Sequence, residues 1–230
     1  MDSTNKNRRT GANGNQKLSF GQMQFGRILF APTVILFFAL VFGGCEKDDL
    51  GNVKPDSFNG KVTAKVENGA AYNSQISTVW ALYDAKINSS GGLTGQMLAN
   101  GGYVDGGFTI DLPAIPSSYL MNIQTFFGSI VNGSEGLEFS DPDVRLLDAD
   151  FFGISSDNKY VDYFIYTTGG TKRTTCLFVY SNGEATVKGG KNINVALSQG
   201  WNRIYFSTSE NKLTSKAPKG MKWFINNDVK

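Results

Sequence analysis

The chain has 230 residues, of which 40% are hydrophobic, and its 22 Lys and Arg residues nearly balance its 20 Asp and Glu residues. It contains no histidine, so a Ser-His-Asp triad, a Cys-His pair and a histidine zinc site are all excluded. The slight positive charge comes from the first 44 residues, and the remainder has a net charge of −2, which gives no support to nucleic-acid binding.

The first predicted element is an apolar run over residues 28–42, with Arg27 before it and a Gly-Gly-Cys sequence after it. A basic residue, about 7–15 apolar residues and a small-residue cleavage site, in that order, are typical of a secretory signal peptide. An uncleaved membrane anchor is the alternative, but a spanning helix needs about 20 apolar residues, and Pro32 lies within this run. We therefore predict that the protein is exported.

The end of this run resembles the lipobox of bacterial lipoproteins, with Phe42 at the usual leucine position, Gly43 at the usual Ala or Ser position, and then Gly44 and Cys45. The resemblance implies that Cys45 receives a diacylglyceryl group, that the signal peptide is removed before it, and that the new N-terminus is acylated. On this expectation the lipid on Cys45 anchors the protein in the outer membrane, and the membrane is its first partner.

Four charged residues follow the cysteine directly, namely Glu46, Lys47, Asp48 and Asp49. They resemble the surface-export signal of lipoproteins from Bacteroides-type bacteria, in which a lysine and acidic residues follow the lipidated cysteine. The resemblance implies a domain that faces the cell exterior. A short charged run is otherwise typical of a solvated tether, so both interpretations stay open.

These features divide the chain into a signal peptide over residues 1–44, a lipidated tether over 45–57 and a β-sandwich region over 58–230. Residues 1–22 are polar and longer than an ordinary basic region, so we predict Met23 as the initiator, and a genuine long N-terminal region, disordered in the cytoplasm, is the alternative. The remaining length fits one domain or two small ones.

Beyond the tether, short segments alternate polar and apolar residues with the period of two that predicts half-buried strands. Turn residues separate them, and the Ser-Asn-Gly sequence at residues 181–183 predicts a hairpin. Residues 117–127 stay ambiguous between a strand and a short helix capped by Ser117 or Ser118. About ten strands at this spacing predict an all-β antiparallel sandwich, with a β-barrel as the alternative. The main predicted strands cover residues 61–66, 76–83, 108–112, 145–154, 160–167, 174–180, 201–208 and 221–225.

Three motifs together resemble a recurring group of lipoproteins from gut Bacteroides-type bacteria: GGFTIDLP at residues 106–113, FVYSNGEATVKG at 178–189, and GWN at 200–202 with PKGMKWF at 218–224. That group has no established activity, so the resemblance implies an all-β exported lipoprotein and carries over no catalytic residue. The strand pair that ends in GGFTIDLP also resembles a transthyretin-like module, and transthyretin-like or Ig-like elements are therefore expected within the sandwich.

Aromatic residues are the main candidates for ligand binding. Tyr103, which follows two glycines, is predicted to be an exposed aromatic and a ligand-binding residue. Trp80, Trp201 and Trp223 could stack on sugar rings, but aromatic residues favour strands and are predicted mainly as core. Cys176 lies in a predicted strand with no partner besides the lipidated cysteine, so an inert thiol is expected. The predicted core comprises Val62, Trp80, Phe108, Ile110, Phe151, Phe178 and Trp201.

Acidic residues offer two further hypotheses. The first is a calcium site, because five aspartates crowd residues 141–157 and oxygen-rich clusters bind calcium. Their spacing lacks the pattern of an EF-hand loop, and a solvated strand edge is the favoured alternative. Paired carboxylates, such as Asp148 or Glu138 with a second acid, could hydrolyse glycosides, but the sequence alone does not place two of them ~5–9 Å apart. The crowded aspartates are Asp141, Asp143, Asp148, Asp150 and Asp157.

Together these observations predict a non-enzymatic, outer-membrane-anchored lipoprotein that acts as a binding or structural module at the cell surface. The alternatives are a carbohydrate-binding accessory protein for glycan uptake and a carboxylate-dependent glycan-active enzyme. An exposed row of aromatics on one face would favour the former, and a cleft with two facing acids would favour the latter. No catalytic residue, cofactor, metal or nucleic acid is expected, and a glycan or an envelope protein is the expected partner besides the membrane.

Overall fold

The computed structural model describes residues 53–131, 133 and 135–226. The apolar run, Cys45 and the charged residues Glu46, Lys47, Asp48 and Asp49, on which the anchor and export predictions rest, lie outside these residues. In the part of the chain that the structure describes, no helix is long and apolar enough to cross a membrane.

The described chain is mostly β-structure, with fifteen strands and one short α-helix, α1 (Ile123–Ile130). The all-β prediction is therefore confirmed. The strands are β1 (Ser57–Phe58), β2 (Lys61–Lys65), β3 (Thr78–Ile87), β4 (Leu93–Val104), β5 (Gly107–Asp111), β6 (Met121–Asn122), β7 (Glu138–Phe139), β8 (Arg145–Ile154), β9 (Tyr160–Thr167), β10 (Thr174–Ser181), β11 (Ala185–Gly189), β12 (Ile193–Leu197), β13 (Gly200–Ser207), β14 (Lys212–Thr214) and β15 (Lys222–Ile225).

Twelve of the strands form one long, folded path in the order β2-β5-β4-β3-β8-β9-β10-β13-β14-β12-β11-β7, and β1, β6 and β15 pair off this path with β13, β8 and β9. Strands β12 and β14 pair in parallel, whereas neighbours such as β3 and β8 pair antiparallel. The path has two ends, at β2 and β7, so it is an open sheet folded as a sandwich; the predicted sandwich is confirmed, and the alternative of a closed barrel is wrong.

The alternation of β2 shows why these sequences become strands. Its sequence KVTAK buries Val62 and Ala64 and leaves the three residues between and beside them exposed. Successive side chains of a strand point to opposite faces, so this pattern buries one face and wets the other. The two exposed lysines on a strand at the end of the sheet also discourage pairing with a further chain.

Aromatic rings fill the main core between the two layers. Phe178 lies near its centre, with ring centroids 5.1 Å from Phe151, 5.5 Å from Trp223 and 5.9 Å from Phe58. Six of the seven predicted core residues are buried, because the period-two pattern marks the buried face correctly. The exception is Trp80, which is half-buried on the opposite face of β3.

The ambiguous segment contains both a helix and a strand. Helix α1 begins after Asn122, whose side-chain Oδ1 accepts a hydrogen bond from the Gln124 backbone N–H at 2.8 Å. The predicted caps Ser117 and Ser118 are wrong, because they lie in a 3-10 turn, Ser117–Tyr119, that ends before β6. The helix packs Ile123, Phe126 and Phe127 on a second apolar cluster, on the opposite side of β8 and β10 from the main core.

The chain that precedes β2 is bound to the sandwich. Strand β1 pairs with β13, Arg203 donates its backbone N–H to the Asp56 carbonyl at 2.8 Å, and its guanidinium lies 3.3 Å from the Asp56 carboxylate. Tyr205 donates its hydroxyl to the same carboxylate, and Arg203 lies 4.4 Å from the Phe58 ring. The last residues of the predicted tether, Asp56 and Ser57, therefore contact the sandwich directly.

Candidate ligand-binding face

Strand β8 changes its partner halfway along, and this opens a hole in the sheet. On one edge β8 pairs with β10 through residues 146–149 and then with β9 through residues 151–154, while β9 and β10 pair with each other at Thr167 and Thr175. A cavity of about 40 Å³ lies where the three strands separate. Its lining includes Asp148, Asp150 and Tyr163, together with core residues such as Phe178.

Three aromatic residues form a row across the outer face of the sheet beside this cavity. Trp80 on β3 lies directly opposite Phe152 on β8, and Phe152 lies directly opposite Tyr163 on β9. Residues opposite each other on neighbouring strands share a face and lie about 5 Å apart. Tyr160 packs its ring against Phe152 with a centroid distance of 6.0 Å. Phe152 is buried, whereas the other three residues are half-buried.

Two carboxylates continue this face along β8. Asp148 and Asp150 alternate with the buried Ala149 and Phe151, so both point away from the main core. Asp148 is half-buried and Asp150 is exposed. Alternate residues of a strand are separated by roughly 7 Å, so the two carboxylates are neighbours. We call Trp80, Tyr160, Tyr163, Asp148 and Asp150 the acidic–aromatic face.

The surroundings of both carboxylates favour their protonated forms. Water reaches them, but the neighbouring protein displaces part of their hydration, and this raises the pKa of Asp148 and of Asp150. The charge of Asp148 raises the pKa of Asp150 further, and Asp84 raises that of Asp148. Asp84 reaches this position because β3 bulges there, with φ of 47° at Asp84, and its carboxylate pairs with Lys86 at 2.9 Å.

One cation faces the tyrosines of this surface. Burial raises the pKa of Tyr163, and Arg173, which precedes β10, opposes that shift, while Asp162 and Asp150 add to it. Burial also raises the pKa of Tyr160. Both phenols therefore stay neutral at physiological pH and can donate or accept hydrogen bonds.

The geometry sets what the face can bind. A cavity of about 40 Å³ is large enough for water but too small for an organic ligand. A ligand would therefore lie on the surface, with its apolar side on the ring edges and its hydrogen-bond donors on Asp148 and Asp150. A second open groove of about 560 Å³, over β2, β5 and the end of β4, is lined by small residues and lysine and has no exposed aromatic ring among its lining residues.

The predicted ligand-binding residue Tyr103 is not on this face. It lies in β4 and is buried in the main core, where its hydroxyl donates a hydrogen bond to the Gly69 carbonyl at 2.9 Å. Burial raises the pKa of Tyr103 to about 12. The prediction that Tyr103 is exposed is therefore wrong, because both glycines belong to a strand and not to a loop. Gly101 leaves room for the neighbouring chain, since a Cβ there would lie 2.2 Å from the Thr109 carbonyl oxygen.

The aspartates that lie close together in the sequence make different local contacts in the structure. Asp141 accepts the Asp143 backbone N–H at 3.0 Å in a turn, and Asp157 forms an ion pair with Lys159 at 2.5 Å in another. Asp148 and Asp150 share one strand face, as the sequence predicts for a strand at that position. No group of three acidic, cysteine or histidine residues suited to a metal ion occurs among the described residues.

Cys176 and two tryptophans belong to the core. Cys176 is buried in β10, and burial raises the pKa of its thiol well above the usual value, which disfavours the reactive thiolate. Trp201 donates its indole N–H to the Pro113 carbonyl at 2.9 Å, and Trp223 stacks on Phe178. Glu138 lies exposed on the short strand β7, remote in the strand order from β8.

Sequence reasoning missed Tyr160, Tyr163 and Arg173 as neighbours of the acidic pair. The strand that contains both tyrosines is predicted, but their contact with Trp80 depends on the register of three strands that are distant in sequence. The signal within reach was the pair of outward-facing aspartates on one strand.

Comparison with protein-family models, with curated proteins and with solved structures finds no match to this chain.

Proposed function

We propose that the protein is a non-enzymatic lipoprotein, anchored in the outer membrane through Cys45, that acts as a binding module at the cell surface. The observation that carries the binding role is the acidic–aromatic face, where half-buried rings and two solvent-accessible carboxylates lie together. The anchor rests on the sequence from Phe42 to Asp49. Since Asp56 and β1 already bind the sandwich, only residues 46–55 separate the domain from the proposed lipid on Cys45.

The anchor is tested by replacing Cys45 with alanine in the full-length chain. We expect the wild type to incorporate labelled palmitate and to sediment with membranes, and the Cys45→Ala variant to lose both properties, because a firm anchor needs its acyl chains. Cys176→Ala is the matched control and should label like the wild type, since its thiol is buried. Palmitate incorporation by Cys45→Ala would overturn the anchor.

A second, narrower candidate is a carbohydrate-binding accessory protein that works in glycan uptake. The half-buried rings of Trp80 and Tyr163, on either side of the buried Phe152, favour it, because aromatic rings pack against the apolar faces of sugar rings while carboxylates accept bonds from hydroxyls. The carboxylates of Asp148 and Asp150 also keep the glycan-active enzyme as the competing interpretation.

A glycan-array screen of the full-length protein in detergent separates these roles. Binding that is lost in Trp80→Ala and Tyr163→Ala, but kept in a variant of the separate groove such as Val104→Ala, would support the carbohydrate-binding role. Turnover of any bound glycan that disappears in Asp148→Asn or Asp150→Asn would overturn the non-enzymatic role. Binding of an envelope protein through the same face, with no glycan bound, would support the binding module but contradict the carbohydrate-binding role.

A further inference from the structure

We propose that the protein forms a twofold dimer in which the open edge of β4, over residues 93–97, pairs antiparallel with the same edge of a second copy. This dimer adds a self-association surface to the proposed binding module and does not depend on what that module binds.

Strand β4 has a partner on only one side over most of its length. It pairs with β3 through residues 93–102, while on its other side β5 pairs with it only at Tyr103 and Val104 and otherwise pairs with β2. Among the described residues, no strand pairs with this second side between residues 93 and 102. Residues 94–97 are also exposed, so the backbone N–H and C=O groups of this edge are open to a further strand.

The open edge lacks the charges found at both ends of the strand path. None of the twelve residues of β4 is charged. By contrast, β2 carries the exposed Lys61 and Lys65, and β7 is only two residues long and carries Glu138. Across a twofold axis a strand meets its own sequence in reverse, so a charged residue near the axis would face a like charge. An uncharged edge avoids this repulsion and therefore fits a second copy of the same chain.

The sequence of the open edge fits one symmetric register. The ladder with β3 slips at Leu98, an extra residue on β4, and such a bulge ends regular pairing. The turn that precedes Leu93 ends it on the other side. The five residues between these limits, LTGQM, are centred on Gly95. With Gly95 on the twofold axis, Leu93 of each copy lies opposite Met97 of the other.

The apolar side chains of this register lie on one face of the sheet. Leu93 is opposite Ile87 and Met97 is opposite Leu82, and both β3 residues belong to the apolar cluster on the outer face. Met97 is 49% exposed in the single copy, so the Leu–Met pairs of the dimer would cover it. A twofold axis perpendicular to the sheet leaves the acidic–aromatic faces of both copies on the same side, so the dimer presents two binding faces together.

The size of the contact sets its strength. Five residues of strand extend roughly 17 Å, and the area that they bury lies below the roughly 1,200 Å² at which standard interfaces begin. Contacts of that size are typical of transient association. A dissociation constant of about 10–100 µM is therefore expected.

Sedimentation of the full-length protein, in enough detergent that copies do not share a micelle by chance, tests the dimer. Over concentrations that span the expected constant, the wild type should shift from monomer to dimer. Met97→Lys should weaken the dimer at least about tenfold, because it places two charges in the contact. Val104→Lys is the matched control and should dimerise like the wild type, since Val104 is 68% exposed on the same strand but lies where β5 already pairs. Equal melting temperatures of the dilute variants confirm that both are folded.

Cysteine cross-linking tests the register. Thr94 of one copy lies opposite Gln96 of the other, and such residues have Cβ atoms about 4.5–5.5 Å apart, close to the separation in a disulfide. A mixture of Thr94→Cys and Gln96→Cys copies should therefore form a mixed disulfide dimer on mild oxidation, and each variant alone should cross-link much less. The wild type, with Cys45 and Cys176, gives the background. Gly95 is left unchanged, because a Cβ there would lie 3.1 Å from the Ala85 Cα.

A monomer at every concentration would overturn the dimer. A dimer that Met97→Lys and Val104→Lys weaken equally would do the same, because it would form through another surface. Cross-linking of Thr94→Cys to itself as readily as to Gln96→Cys would overturn the register centred on Gly95. Binding of an unrelated extended peptide along the edge of a protein that stays monomeric would assign the edge to another partner and overturn the second copy. None of these outcomes alters the proposed binding role.

Discussion

At the scale of single residues, Asp148 and Asp150 stand out because their surroundings raise the pKa of both carboxyl groups. Asp56 and Asp157, by contrast, pair with the cations Arg203 and Lys159. The acids on β8 lie beside each other instead, and the charge of Asp148 raises the pKa of Asp150. Like charges in contact cost folding free energy whenever both are ionised, so this pair is retained at a cost to stability.

The pH dependence of stability should reveal this cost. The pKa of Asp150 is raised from 3.8 to about 7. Below the pKa of Asp150 in the unfolded chain, this residue is protonated in both states and its contribution to stability is fully present. As pH rises through the folded-state pKa this contribution is lost, because Asp150 ionises first in the unfolded chain. We expect Asp150→Asn to unfold at the same temperature as the wild type at pH 4. At pH 8 its Tm should be higher by about 2–4 °C, roughly 1 kcal/mol once solvent screening at this exposed side chain is allowed for.

Asp111→Asn is the control for this measurement, since it removes an exposed charge from another strand. Circular dichroism melts at four pH values between 4 and 8 suffice. A Tm difference between wild type and Asp150→Asn that does not grow with pH would contradict the assignment.

Phe178 should be the residue whose truncation costs the main core most. Its ring lies between those of Phe58, Phe151 and Trp223, at centroid distances of 5.9, 5.1 and 5.5 Å. Replacing a buried phenylalanine with alanine costs about 3–5 kcal/mol, because the surrounding rings collapse only partly into the cavity. We expect Phe178→Ala to lower Tm by roughly 6–20 °C, measured by thermal unfolding.

The half-buried Phe139 on β7 is the matched control, and Phe139→Ala should cost clearly less. A Phe178→Ala variant as stable as Phe139→Ala would show that the aromatic core is not where the structure has it.

At the scale of elements, alternation predicted most of the longer strands but missed the 12-residue strand β4, and it predicted the helix boundaries poorly. Strand β8 is predicted to its exact limits, because the buried Leu147, Ala149 and Phe151 alternate with more exposed residues in its middle. Helix α1 is short, and its start depends on which polar residue accepts the first free backbone N–H. Ser117, Ser118 and Asn122 all satisfy that pattern in the sequence, and the pairing of β6 with β8 selects Asn122.

The cap makes its own prediction. Asn122→Ala removes the acceptor for the Gln124 N–H and should destabilise the protein by about 1 kcal/mol in chemical denaturation. Asn122 also donates to the Pro142 carbonyl at 3.1 Å, so Asn122→Asp serves as a control that keeps the cap and loses this second bond. An alanine variant no less stable than the aspartate variant would mean that the cap contributes nothing measurable.

At the scale of the whole molecule, the fold class followed from the sequence, and the candidate site followed only in part. Period-two alternation is local, so it identified most of the longer strands and six buried core residues such as Val62 and Phe178. The site depends on non-local pairing: Trp80 meets Tyr163 through Phe152, and the cavity exists because β8 exchanges β10 for β9. The prediction that Tyr103 is exposed was wrong for the same reason, since residues distant in sequence bury its side chain in the main core.

The last prediction concerns where the whole molecule is displayed. Since Asp56 and β1 bind the sandwich, residues 46–55 separate the proposed lipid on Cys45 from the first residue that pairs with the sandwich. A chain of this length spans at most roughly 36 Å. A domain on so short a tether stays on the side of the outer membrane to which the lipid anchor is sorted, either the cell exterior or the periplasm. We expect simultaneous replacement of Lys47, Asp48 and Asp49 by alanine to keep palmitate labelling but to remove antibody staining of intact cells. The matched control replaces Leu50, Asn52 and Lys54 by alanine. It preserves the length of the chain between Cys45 and the sandwich and should leave staining unchanged. Equal staining of both variants would show that the three residues are a solvated part of the tether and not a signal.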